Sequence, residues 1–361
     1  MKRCPQCRRD YYDDSLLYCL DDGTRLLEGP GLTEDNTVLL PGLSSKHASV
    51  PVQQFALPKL TQITFSEAIE QYPAWSPNGD ELAFSREESG IRNIFVKDVS
   101  TGEERQITET RFDDIQPVWS PDGKTLLFVR NRQPDVRFEP GDVFGLFADG
   151  DVWSVEVESR KAAKLVNNAF NPDYSADGKR IAVDASWAGP RRIWAVDRLG
   201  HNPQQLSSDT SEGISHVRPR WSPDGVRIVF QNIERTKFDV KVVDLASGKH
   251  TWVTNDAVQD LNPVWSPSGR FIYFSSYRGG GINIWRASMQ GGDVPGPLQQ
   301  MTIGAGQDVE IAISPDGKRL SFTILRQNAD IWRLPVSPDT GRATGEPHEL
   351  ITTTREDSRG S

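Results

Sequence analysis

Cysteine is scarce in this chain of 361 residues: Cys4, Cys7 and Cys19 are the only three, all before residue 20. A disulfide framework would spread more of them along the sequence, so the usage reads as that of a reducing, cytoplasmic setting. Long apolar runs are missing as well. None approaches the roughly 18 residues that span a bilayer, and the first stretch, MKRCPQCRRDYYDD, is charged where a secretory signal would place its apolar core. The expectation is a cytoplasmic protein without membrane insertion, periplasmic only if the gene start is misassigned. Positive charge is in deficit: 41 Lys and Arg stand against 50 Asp and Glu, a formal charge of -9 that disfavours non-specific contact with nucleic acid or an anionic membrane.

Catalytic signatures are equally thin. There is no G-x-S-x-G elbow for a serine nucleophile. His348-Glu349 lacks the second histidine four residues on that a zincin site requires. The glycines at 279–281 lie between two predicted strands and precede no helix, so they read as a hairpin loop rather than a phosphate cradle. The five histidines (His47, His201, His216, His250 and His348) fall on the linker and on different repeats. No convincing helical period occurs between 60 and 352.

What the sequence does contain is repetition. PVWSPDGKTLLF at 117–128 returns at 263–274 as PVWSPSGRFIYF. A Ser followed three residues later by a Gly occurs at Ser76, Ser120, Ser175, Ser222, Ser266 and Ser314, preceded by Trp75, Trp119, Tyr174, Trp221, Trp265 and Ile313. A second anchor pairs a polar with an aliphatic residue, as in Asn93-Ile94-Phe95 and Asp330-Ile331-Trp332. A third closes the copy, as in RQIT (105–108), TWVT (251–254) and QQMT (299–302). The aromatic anchors and Ile313 are 44, 55, 47, 44 and 48 residues apart. In S-P-D-G the Pro presets its φ, the Asp bonds back to the backbone and the Gly takes the left-handed position, which makes a tight turn. The flanking runs alternate or are β-branched. Four short strands about every 45 residues predict an all-β propeller of six blades, with the aromatic before each Ser packed between blades.

The pattern P-x-W-S-P-D-G, then an aliphatic-aromatic strand, then D-I-W and L-T, resembles the TolB-type, WD40-like propeller repeat over about 60–352. The resemblance implies a six-bladed β-propeller and, by itself, no particular activity. TolB proteins are periplasmic and carry a separate N-terminal domain for which this chain has neither an export signal nor the room, so their role is not carried over. Propellers of this kind also occur as gating domains of serine peptidases and as sugar lyases, but no residues remain for the α/β-hydrolase domain a peptidase needs. KLTQIT (59–64) and HELIT (348–352) both match an outermost strand, and the tail TREDSRGS reads as the lead-in to a seventh repeat.

The expected organisation is a zinc-ribbon-like module at 1–28, a flexible linker at 29–58 rich in Gly, Pro and Ser, and the propeller at 59–361. In the module, CPQC and YCLDDG offer Cys4, Cys7, Cys19 and Asp22 as a tetrahedral structural zinc site. A unit of about 28 residues buries too little surface to fold unaided, which a metal would remedy. A degenerate, metal-free ribbon is the alternative.

The remaining function is binding. First strands of a propeller line its channel. Three residues before each motif Pro stand Glu70, Asp114, Ala169, His216 and Asp260, with Asp308 equivalent in the last copy. Immediately before it stand Tyr72, Gln116, Asn171, Arg218 and Asn262, with Glu310 equivalent. These residues are expected to ring the channel mouth. The Gly-to-aliphatic spacing is 15 in four repeats and 14 in the last, but 29 in the second, where 131–150 inserts Phe138, Phe144 and Phe147 among carboxylates. Aromatic anchors in a polar rim suit a binding loop; a disordered insertion satisfied by Arg86, Arg130 and Arg278 is the alternative. Two function classes follow. The first is a non-enzymatic scaffold that binds a protein or peptide across the channel face. The second is a hydrolase or lyase using the mouth carboxylates, with or without a bound cation. An enzyme would hold two titratable groups together in a pocket, whereas a scaffold would leave each carboxylate salt-bridged or solvated.

Overall fold

The turn tetrapeptides dictate where the chain reverses. In the computed structural model the described residues are 60–325, apart from 67, 139–146, 210, 279–280, 290–294 and 304–305, together with five short strands outside that range. The chain divides into two units, Met1–Ala56 and Leu57–Ser361. In the first, β1 (Lys2–Arg3), β2 (Asp10–Tyr11) and β3 (Leu27–Glu28) form an antiparallel sheet in the order β2-β1-β3. Cys4, Cys7, Cys19 and Asp22 lie outside the described residues.

The second unit is built from antiparallel four-stranded blades. Blade one contains β4 (Glu70–Trp75), β5 (Glu81–Glu88), β6 (Ile91–Asp98) and β7 (Glu104–Gln106). Blade two contains β8 (Asp114–Trp119), β9 (Thr125–Asn131), β10 (Gly150–Glu156) and β11 (Ala162–Val166). Blade three contains β12 (Ala169–Tyr174), β13 (Arg180–Ala185), β14 (Arg192–Asp197) and β15 (Gln204–Gln205). Blade four contains β16 (Ile214–Trp221), β17 (Arg227–Glu234), β18 (Lys237–Asp244) and β19 (His250–Trp252). Blade five contains β20 (Asp260–Trp265), β21 (Phe271–Ser276), β22 (Asn283–Ser288) and β23 (Gln299–Gln300).

The sixth repeat corrects the expected count. It forms a hairpin, β24 (Gln307–Ile313) with β25 (Leu320–Leu325), and a separate pair, β26 (Ile331–Arg333) with β27 (His348–Ile351). Among the described residues the propeller therefore shows five four-stranded blades, not six. The interval between Gly317 and Ile331 in this repeat is 14 residues, where four of the other repeats have 15. Of the two candidate last strands, 348–351 pairs with β26, whereas 60–66 forms no strand.

The β24–β25 hairpin nevertheless occupies the place between blades five and one, because β24 packs against both β20 and β4. Five of the six turns interlock with the next around this ring. Ser76 Oγ donates to Asn78 Oδ1 (2.6 Å) and accepts the Glu81 amide (2.9 Å), while Gly79, at φ 79°, bonds back to the Ser76 carbonyl. Pro77 then packs on Gly123, Pro121 on Gly178, Pro223 on Gly269, Pro267 on Gly317 and Pro315 on Gly79. Guanidinium groups repeat the same circuit by lying over the tryptophan of the following blade: Arg180 over Trp221, Arg227 over Trp265, and Arg319 over Trp75 at 4.2 Å. Arg319 also donates to the Gly79 carbonyl at 2.7 Å. The core is correspondingly laminated between blades. Trp119 packs with Ile94 and Val96 of blade one, and Trp265 with Val240 and Val242 of blade four.

One link of the turn circuit is missing. Nothing packs on Gly225, because the third repeat carries Ala176 where the proline would stand. Ala176→Pro should restore the contact and stiffen the unfolded chain, raising stability by about 0.4–1 kcal/mol. Urea unfolding checks this, and a destabilised variant would contradict the interlock.

Candidate functional site

The structure separates the two residue sets that the sequence placed together at the mouth. The position that opens each inner strand is used up between blades. The closing Ser or Thr of one blade accepts a third-strand amide of its own sheet: Thr108 from Ile94, Ser207 from Ile193, Thr254 from Val240 and Thr302 from Ile284, all at 2.9–3.0 Å. The same hydroxyl meets the opening residue of the next strand. Thr302 donates to Asp308 at 2.5 Å and Ser207 bonds His216 Nδ1 at 2.8 Å. Thr108 and Thr254 lie close enough to Asp114 and Asp260 to oppose the rise that burial gives their pKa values, and donate to Asn93 (3.3 Å) and Asp239 (3.5 Å) of their own sheets. Second-strand arginines complete the set: Arg86 holds Glu70 (2.6 Å), Arg130 holds Asp114 through two 2.7 Å bonds, and Arg278 holds Asp260 (2.6 Å). Asp114, His216 and Asp260 are fully buried and Asp308 nearly so. Burial, with the nearby Arg192 and Lys241 charges, lowers the His216 pKa to about 3, so the ring is neutral near pH 7. With Ser207 Oγ already accepting an amide, its proton goes to Nδ1, leaving Nε2–H toward Asp209. These groups are latches rather than a ring of free acids facing the channel.

The position just before the proline behaves differently. Tyr72, Gln116, Asn171, Arg218, Asn262 and Glu310 all have φ between 51° and 59°. A left-handed conformation at a residue other than glycine costs on the order of 1–3 kcal/mol and persists where its surroundings enforce it. Here each falls at a register shift of the inner hairpin, a bulge that re-aims the side chain. Side chains hold the bulged amides. Glu310 accepts that of Tyr72 (2.8 Å), Gln116 that of Asn171 (2.9 Å), Asp184 that of Arg218 (3.2 Å) and Gln231 that of Asn262 (3.2 Å). Gln116 returns a bond to Asn171 Oδ1 at 2.7 Å.

Five of the six, all but Asn171, line a cavity of about 40 Å³ along the ring axis, together with Arg220. Sequence reasoning named Arg218 and Glu310 but missed Asp173, Asp184 and Arg220. Burial raises Asp173 and Asp184 to about 6 against the opposing pull of Arg220 and Arg191, and it raises Glu310 against that of Arg218. The signal was available: Asp173 and Arg220 follow the motif proline, where three of the other copies carry Ala74, Val118 and Val264.

The insertion of blade two turns inward. Phe138 and Phe147 are 4% and 5% exposed and pack with Phe170 in one core cluster, so they are not surface anchors. Phe144 lies outside the described residues. Arginines from the flanking blades grip the two ends: Arg92 donates to the Phe138 carbonyl (2.9 Å) and Arg191 to that of Phe147 (2.5 Å). Arg92 is fully buried and pairs with Asp113 through bonds of 3.0 and 2.6 Å, while Asp113 also accepts the Phe138 amide at 2.8 Å. Among the described residues no group of three His, Cys, Asp or Glu side chains could hold a metal ion, and no helix is long and apolar enough to cross a membrane.

Antiparallel blades joined by interlocking S-P-x-G turns around an axial cavity define a β-propeller repeat protein. The family profile described as "TolB beta propeller domain" matches residues 25–137 and 169–360. The chain belongs to that family. It is 29% identical over 197 residues to an uncharacterized protein of Agrobacterium fabrum, covering 53% of this chain and 64% of that one. It is 28% identical to a TolB homolog of Chlorobium chlorochromatii (45% and 37% covered) and 28% identical to dipeptidyl-peptidase 5 of Porphyromonas gingivalis (47% and 26% covered). The chain thus spans less than two thirds of the length of these curated relatives. Among solved structures it resembles a putative TolB from Agrobacterium tumefaciens, with TM-score 0.54, 23% identity, and coverage of 72% of this chain and 89% of that one. It also resembles an oligogalacturonate lyase in complex with manganese, with TM-score 0.50, 15% identity, and coverage of 70% and 72%. At these identities the structural likeness establishes the fold alone.

The buried Arg92–Asp113 pair yields a test. Arg92→Leu leaves Asp113 buried without its counter-charge and should cost about 3–5 kcal/mol, whereas Arg92→Leu with Asp113→Leu should recover a large part of that loss. Denaturant midpoints of the two variants check this. Equal losses in both would contradict the ion pair as the anchor of the insertion.

Proposed function

We propose that this propeller is a non-enzymatic binding scaffold that takes a protein or peptide partner on the face where the inner strands begin, the mouth face. One observation carries the reading. Beyond the lead-in residues Leu60 and Phe65, the exposed large apolar side chains gather there: Ile69, Val136, Tyr277, Ile303 and Ile324 sit at mouth-side strand ends or loops. The face of the S-P-x-G turns has Leu199 and Val226. Among the described residues the mouth face thus carries more exposed apolar side chains than the turn face, the feature that marks interaction surfaces when such residues lie together. The turn face repeats one conformation and offers a partner little to distinguish.

The state of the acids supports the same reading. Glu70, Asp114, Asp260, Asp308 and Glu310 are each engaged by an arginine or a hydroxyl, the arrangement expected of a scaffold. Nothing in the geometry favours the hydrolase or lyase alternative, although dipeptidyl-peptidase 5 and the oligogalacturonate lyase are among the similar proteins.

Site-specific photo-crosslinking in native cell extract tests the face. A crosslinker at position 136 or 303 should give discrete adducts, and one at 199 or 226 should give none. Adducts confined to 199 and 226 would overturn the assignment.

A further inference from the structure

Asn262 stands out within the axial cavity. It lines that cavity, is 4% exposed, and neither its Oδ1 nor its Nδ2 has a hydrogen-bond partner. Its backbone is held at φ 54° by the bulge and by the bond from its amide to Gln231, so the side chain projects from a fixed point. Buried amides ordinarily satisfy both ends. An open donor beside an open acceptor is the complement of another amide, which offers one of each.

The charges around the cavity narrow the ligand further. Glu310 accepts the Tyr72 amide and the Thr323 hydroxyl and faces Arg218. Arg220 donates to the Pro219 carbonyl and is opposed by Asp173. Acid and base are matched, so a charged ligand would bring in a charge without a partner. A cavity of about 40 Å³ takes a group of a few atoms. We propose that Asn262 recognises a neutral carboxamide, either a peptide bond or an Asn or Gln side chain, through a paired N–H···O and C=O···H–N contact. Naming the ligand as part of a peptide rests on the mouth-face reading above, but the amide site can be tested apart from it.

The full-length chain is titrated with N-acetylglycinamide, N-acetylglycine and glycinamide, which are neutral, anionic and cationic, with binding read by ligand-observed NMR. The neutral compound should bind at least about tenfold more tightly than either charged one. Asn262→Gly tolerates the left-handed φ and should keep the melting temperature while losing at least about tenfold in affinity. Asn262→Asp, isosteric and without the donor, should lose as much and serves if the glycine variant unfolds. Preference for a charged compound, no binding of the neutral one, or unchanged affinity in both variants would overturn the proposal. Amide binding without crosslinks from 136 and 303 would fail the mouth-face reading alone. Crosslinks without amide binding would fail this inference alone.

Discussion

A hydroxyl group in each of four blades ties strands together. In blades one, three, four and five a Ser or Thr accepts the amide of the third-strand aliphatic residue and touches the residue that opens the next blade. The first contact pins the outer strand to its own sheet; the second fixes the position of the neighbouring inner strand. Where the partner is the buried Asp308 or the buried His216 Nδ1, breaking the contact leaves a polar group unpaired, a penalty of about 1–3 kcal/mol. A propeller whose blades share no backbone ladder depends on such side-chain contacts, on the proline–glycine interlock and on the arginine–tryptophan stacks.

That division of labour decides which residues remain for recognition. Glu70, Asp114, His216, Asp260 and Asp308 are occupied by their arginine or hydroxyl partners. The left-handed residues stand two positions further in, five of the six line the axial cavity, and their side chains differ in nearly every copy. Glu310, Arg218 and Arg220 give the axial cavity a polar lining, with Asp173 opposing Arg220 from outside it, and the open amide of Asn262 gives it direction.

The repeats, the turns and the inter-blade aromatics were legible because they rest on local chemistry: a Ser, a Gly with positive φ and an aromatic at fixed spacing. The split between Glu70 and Tyr72, or Asp260 and Asn262, was not. Alternation along a strand puts residues two apart on one face, and only the bulge between them sends one into the blade interface and the other to the axis. Phe138 and Phe147 were legible as aromatic anchors of the insertion, but not their partners, because Arg92 and Arg191 lie more than forty residues away in the chain. The count of six failed for a related reason: the sixth repeat is plain in the sequence, but whether four strands share one ladder depends on registers that motif counting does not see.

Amide hydrogen exchange on a Thr254→Val variant tests the latch most directly, because valine keeps the shape and removes the hydroxyl. The account predicts that protection falls at Val240 and along the inner strand that begins at Asp260, while Ile94 in blade one keeps its wild-type exchange. Unchanged protection at Val240, or a uniform loss around the ring, would contradict a structure held together blade by blade through these hydroxyls.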